Sequence, residues 1–159
     1  MKQKLSNQLQ SQLRAEIIVG LDELCDRIKC NEQETVQINF ALGDLLNSLI
    51  DASEMSAVDA SMIMEERSGI HHSLFQNYGR IARRLSAEYR PANVPWGVIK
   101  YLFVDINPRR FNVSEREFCR AAVMALREVE KKDLKLIDLK YGEDDSTLGE
   151  SIIRKHVKK

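Results

Sequence analysis

No stretch of this sequence approaches the ~18 consecutive apolar residues that a membrane span needs, and its opening, Met1 to Gln8, lacks the apolar core of a secretion signal. These absences predict a cytoplasmic chain with no membrane partner. Prolines number three and glycines seven, too few for the many turns of a β fold. Cysteine is scarce and odd in number: Cys25, Cys30 and Cys119 cannot form a disulfide framework and read as buried thiols. Cys25 and Cys30 fall on different faces of one expected helix and lie far in sequence from His71 and His72, so the closely spaced Cys/His pairs of a zinc site are missing. Net charge is also lacking, with 24 basic and 24 acidic residues.

What is present favours helix. Leu, Ala, Glu, Lys, Arg and Gln dominate, and 43% hydrophobic with 30% charged residues is an ordinary globular mixture. With 159 residues the chain is one functional unit. The expected fold is all-α: a helical bundle with a long N-terminal amphipathic helix (residues 1–30), a helical core containing a helix-turn-helix-like segment (31–90), a C-terminal helical subregion (91–140), and a loop with a basic tail (141–159).

Leu9, Leu13, Ile17, Leu21, Leu24 and Ile28 recur at steps of three or four, which predicts one apolar face on a helix over residues 6–29. That stripe needs a partner, either the rest of the chain or a second copy in a homodimer. Asn31 with Glu34 reads as a capping box for a second helix, whose Val36, Phe40, Leu42, Leu45, Leu46, Leu49 and Ile50 belong at the centre of the core. Gly43 within it costs ~1 kcal/mol against Ala and suggests a close helix crossing. Ser56 with Asp59 caps a third helix that Gly69 stops, and a fourth covers residues 73–85. After the break at Pro91 and Pro95, Trp96, Val98, Ile99, Tyr101, Leu102 and Phe103 read as a short helix, and Ser114 with Glu117 caps another reaching about Lys131. Residues 141–146 read as an exposed loop and 152–159 as a weak helix or tail.

The charges are segregated. From residue 31 to 69 the only base is Arg67, against eight acids; from 70 to 127 ten bases face four acids. Such asymmetry suits nucleic acid, an oppositely charged protein, or neutralisation within the fold.

The third helix, the turn Gly69-Ile70-His71 and the fourth helix have the layout of a helix-turn-helix. On the fourth helix Leu74, Phe75, Tyr78, Ile81 and Ala82 are expected to face the core. Ser73, Gln76, Asn77, Arg80, Arg83 and Arg84 are left for solvent, and these are side chains that read base edges and hold phosphates. The runs Ala41-Leu42-Gly43-Asp44-Leu45-Leu46, Ser68-Gly69-Ile70 and Gln76-Asn77-Tyr78-Gly79-Arg80-Ile81-Ala82-Arg83-Arg84 resemble small helix-turn-helix proteins of phages, plasmids and other mobile elements. The likeness covers about a third of the chain and rests on short motifs. It implies duplex-DNA binding by the fourth helix. One departure is Glu65, four residues before the turn glycine, where the pattern has a small residue; a carboxylate there is expected to crowd the helix crossing.

The alternative is a helical protein-interaction module, an inhibitor, adaptor or assembly component, in which Arg80, Arg83 and Arg84 solvate a face or pair with the acidic helices. Catalysis has no support: no phosphate-cradling loop, zinc-protease motif or nucleophile elbow occurs, and His71 and His72 lack a nucleophile or orienting partner in the sequence. No catalytic residue, metal ligand or cofactor is assigned.

Overall fold

A computed structural model describes residues 2–30, 35–142 and 146–158, with side chains from residue 8 to 25 in the first stretch. Among the described residues there are eight α-helices and no strand, an all-α fold. No helix among them is long and apolar enough to cross a membrane. The chain divides into two compact units, Met1–Arg83 and Arg84–Lys159. The boundary expected at residue 90 falls inside the second of these.

Unit 1 begins with α1 (Lys2–Cys30), about 43 Å long at 1.5 Å per residue. Ile17 and Leu21 are buried and Leu24 is half-buried, so the rear of the stripe belongs to the core of this unit. Its front does not: Leu9 is 59% and Leu13 45% exposed. Ile28 and the Asn31–Glu34 cap lie outside the residues whose side chains are described. Helix α2 (Thr35–Ser53) is the centre of the core, as its composition requires, burying Ile38, Phe40, Leu42, Leu46 and Leu49.

Helix α3 (Ala57–Ser68) starts where Ser56 Oγ accepts from the Asp59 amide at 3.1 Å. It ends where Gly69 takes the left-handed conformation (φ 79°) and donates its amide to the Glu65 carbonyl. That φ is the reason for a glycine at the stop. Helix α4 (His72–Arg84) follows after one short turn.

The glycine in α2 has the expected cause. A Cβ on Gly43 would lie 2.2 Å from the Tyr78 carbonyl oxygen, so α2 and α4 cross backbone against side-chain-free backbone. Gly79 of α4 serves the same approach from the other side, where a Cβ would meet Leu46 at 2.8 Å.

Unit 2 is built on α6 (Glu115–Lys132), capped by Ser114 Oγ accepting from the Glu117 amide at 3.1 Å. Its face of Phe118, Ala121, Ala122, Ala125, Leu126 and Val129 is buried. The apolar block after Pro95 forms α5 (Trp96–Lys100), which widens into a π-turn over Tyr101–Asp105 closed by the Ile106 amide on the Tyr101 carbonyl. Helix α7 (Leu136–Lys140) and helix α8 (Leu148–His156) complete the unit.

Of the two expectations for the chain's end, weak helix or tail, the structure has the helix, and it starts earlier, at Leu148. Thr147 caps α8 by accepting from the Glu150 amide, and Ile152 and Ile153 are buried. The basic residues concealed an amphipathic pattern: Arg154, Lys155 and His156 sit in the last turn, where cations favour a helix C-terminus. Tyr141 and Gly142 are exposed, as expected of a loop; residues 143–145 lie outside the described residues.

Candidate nucleic-acid interface

Helix α4 carries the residues the sequence nominates, and its helical spacing sorts most of them into two rows. Positions 76, 79 and 83 form one row, tied to α2 and α3 by hydrogen bonds, with Gly79 buried, Gln76 half-buried and Arg83 exposed. Gln76 Nε2 donates to Ser61 Oγ of α3 at 3.1 Å, and that hydroxyl donates onward to the Val58 carbonyl at 2.8 Å. The Gly79 carbonyl accepts from Asn47 Nδ2 of α2 at 3.0 Å, while Arg83 Nε donates to Asn47 Oδ1 at 2.9 Å. The Arg83 guanidinium also reaches Asp51 at 3.0 Å. Asn47 thus bridges backbone and side chain of α4 at the glycine crossing.

Positions 73, 77 and 80 form the other row, and it faces out. Ser73 and Arg80 are exposed and Asn77 is half-exposed. Ser73 Oγ bonds His71 Nδ1 at 2.7 Å, and the same ring nitrogen lies 3.2 Å from the Ser73 amide, so His71 caps α4. Neither Asn77 nor Arg80 has a side-chain partner among the described residues.

Three of the expected solvent-facing residues therefore do structural work. Gln76 is half-buried against α3, and Arg83, exposed as expected, is paired with Asn47 and Asp51 of α2. Arg84 belongs to unit 2, where its side chain is only 17% exposed; it pairs with Glu115 at 3.0 Å and donates to the Phe103 carbonyl. The apolar expectation needs one correction too: Phe75, Ile81 and Ala82 are buried and Tyr78 half-buried, but Leu74 is 43% exposed. Burial pushes the Tyr78 phenol up from its ordinary pKa.

Glu65 does not crowd the helix crossing. It turns along the surface to His72, with Oε2 2.9 Å from Nδ1, and leaves the packing to Ala60, Ser61 and Met64. The His71 ring stands beside that of His72, centroids 4.2 Å apart. One donor atom from each of Glu65, His71 and His72 lies within 4.8 Å of the other two. Cysteine spacing gives no sign of this cluster, in which the turn returns two histidines, six and seven residues along the chain, beside the carboxylate.

Unit 2 holds a feature the sequence showed only as a charge excess. A groove of about 500 Å³ is lined by Arg84, Arg116, Arg120 and Arg127 with Tyr89 and Met124. Arg84 pairs with Glu115, and Arg120 with Glu117 at 2.5 Å. Arg116 has no ion pair among the described residues, and the Arg127 guanidinium lies 5.3 Å above the Tyr89 ring, an attraction that leaves its charge uncancelled. Cys119 also lines the groove, and burial pushes its thiol up, away from the reactive thiolate.

Compared with protein-family models, curated proteins and solved structures, the chain matches none.

Proposed function

We propose that this protein binds duplex DNA without catalysis, in the manner of small phage or plasmid helix-turn-helix proteins, with α4 presenting Ser73, Asn77 and Arg80 to the major groove. The observation that carries this reading is the division of α4: one polar row is consumed in holding the helix, and the other, at steps of four and three, is left with a hydroxyl, an amide and a guanidinium outward. Asn is suited to adenine edges and Arg to guanine edges or phosphate. The resemblance of the motif runs carries the same implication.

Unit 1 alone is a poor source of phosphate attraction, since it has 12 acidic and 8 basic residues against 12 and 16 in unit 2. The long-range electrostatic contribution is therefore assigned to unit 2 and its arginine groove, with Arg116 and Arg127 as the available charges.

Fluorescence anisotropy with a selected duplex and a random duplex, each at two salt concentrations, tests this. Arg80→Ala should weaken binding and reduce the salt slope by about one charge. Asn77→Ala should cost roughly 1–3 kcal/mol on the selected site and little on random DNA. Arg83→Ala should leave the salt slope unchanged and lower thermal stability instead. Wild-type protein that binds neither duplex at low salt sinks the reading.

A second reading, a protein-interaction module that includes a homodimer through the N-terminal helix, is favoured by the exposed Leu9 and Leu13 on the front of α1. It predicts that Leu9→Asp with Leu13→Asp turns a dimer into a monomer in sedimentation without loss of helix. A monomeric wild-type chain at roughly 10 µM, a concentration at which weak dimers form, contradicts it.

A further inference from the structure

We infer that the turn between α3 and α4 is a binding site for a divalent transition-metal ion, zinc foremost, with Glu65, His71 and His72 as its protein ligands. The inference stands whether or not α4 reads DNA.

The donor set is two imidazoles and one carboxylate, the mixture that suits zinc and its borderline neighbours rather than magnesium or calcium. The geometry is close to what such an ion needs. Two ligands on one tetrahedral ion, with bonds of ~2.1 Å, stand about 3.4 Å apart; Glu65 Oε2 and His72 Nδ1 are already 2.9 Å apart. The set as a whole lies within 4.8 Å, so rotation of surface side chains closes it and no helix has to move.

Local structure explains the convergence. Glu65 is in the last turn of α3, and Gly69 reverses the chain immediately afterwards through its left-handed conformation. His71 and His72 are then the cap and first residue of α4, returned beside the carboxylate. His71 Nδ1, 2.7 Å from Ser73 Oγ, accepts from the Ser73 amide at 3.2 Å; binding an ion through Nε2 moves the ring proton to Nδ1, keeps the bond to Ser73 Oγ with the ring as donor, and gives up the bond from the amide. A hydrogen bond of that kind orients a ligating histidine and increases its basicity. Glu65 and His72 are each about one-third exposed, so an ion would reach the site from solvent and keep a fourth position for water or an outside ligand.

Bound there, the ion joins the end of α3 to the start of α4 and fixes the turn on which the exposed row of α4 depends. The ligands must be deprotonated to bind, and a site formed by the folded turn contributes its binding energy to folding.

The experiment is titration of the full-length, metal-free chain with Zn²⁺ by calorimetry and with Co²⁺ by visible absorption, under reducing conditions. Expected are one ion per chain, a cobalt spectrum without thiolate charge-transfer bands, binding unaffected by alkylation of the cysteines, and a rise in the unfolding midpoint of about 5–10 °C at saturating zinc. His71→Ala with His72→Ala should abolish binding. Glu65→Gln keeps the side-chain shape and a hydrogen bond to His72 and so serves as the fold-preserving variant; it should weaken zinc by roughly 100-fold, at or beyond the range seen for outer-shell partners. No saturable uptake below roughly 100 µM zinc, a limit above which surface histidines bind weakly, overturns the inference, as does unchanged affinity in Glu65→Gln or binding lost on cysteine alkylation.

Discussion

The two units are held by different physics. In unit 1 the decisive contact is steric: α2 and α4 approach at Gly43 and Gly79 until only a missing Cβ allows it, and Asn47 fastens the crossing with hydrogen bonds. In unit 2 the seam between α6 and α8 buries Ile152 and Ile153 and is bordered by ion pairs. Glu128 accepts from Lys132 at 2.9 Å, from Lys155 and from His156 at 3.2 Å, and Glu117 binds Arg120 and the Lys158 amide. A steric contact is indifferent to pH and intolerant of one methyl group, whereas a border of ion pairs is the reverse. The contrast also says where charge remains available: unit 1 consumes Arg83 on its own acids, and unit 2 keeps Arg116 and Arg127 uncancelled.

The largest expected effect breaks the steric side. Gly43→Ala forces a Cβ into backbone atoms of Tyr78 that cannot yield, and should destabilise unit 1 by about 3 kcal/mol or more in urea unfolding followed by circular dichroism, despite Ala being the better helix former. Gly20→Ala in α1 is the matched control. A Cβ there meets only Leu45 at an ordinary 3.6 Å, so helix propensity should prevail and stabilise the protein by up to about 1 kcal/mol. If the two substitutions behave alike, the crossing is not the constraint.

A smaller effect separates the ionic side. Hydrogen bonds from Lys155, then Lys132, hold the Glu128 carboxyl down at about 2, against 4.5 ordinarily, and Arg120 followed by the Lys158 amide holds Glu117 at about 2. A carboxylate depressed in the folded state contributes stability that is present above its unfolded pKa and is lost as pH falls through the folded one. Unit 2 should therefore weaken between about pH 4.5 and pH 2, and Glu128→Gln should remove about half of that dependence, the rest staying with Glu117. Probes in each unit, read during an acid titration, check this; loss of unit 1 first contradicts it.

How much of this was legible in the sequence follows the range of each interaction. Ser56, Ser114 and Gly69 act within three or four residues, so their caps and the turn could be read directly. Gly43 announced a close crossing but not its partner, because Tyr78 and Gly79 are more than thirty residues away. Separations of 15 to 36 residues hid the ties of α4: helical periodicity gives the angle of Gln76, Arg83 and Arg84 around the axis, but only folding places Ser61, Asn47, Asp51 and Glu115 opposite them. Charge left the end of the chain open between weak helix and tail, and it is a helix in which Lys155 and His156 pair with Glu128. Glu65 was weighed by size alone at a helix crossing, when its chemistry lies with His71 and His72.

The central claim is that the outer row of α4 meets DNA while the inner row holds the helix, and side-chain nitrogen NMR on the full chain reads both rows at once. Titration with duplex DNA should shift the Asn77 side-chain amide and the Arg80 Nε–H, and leave the Asn47 amide and Arg83 Nε–H, which bond each other, in place. Shifts at Asn47 and Arg83 with Asn77 and Arg80 unmoved, or no shifts at all at saturating duplex, would contradict it.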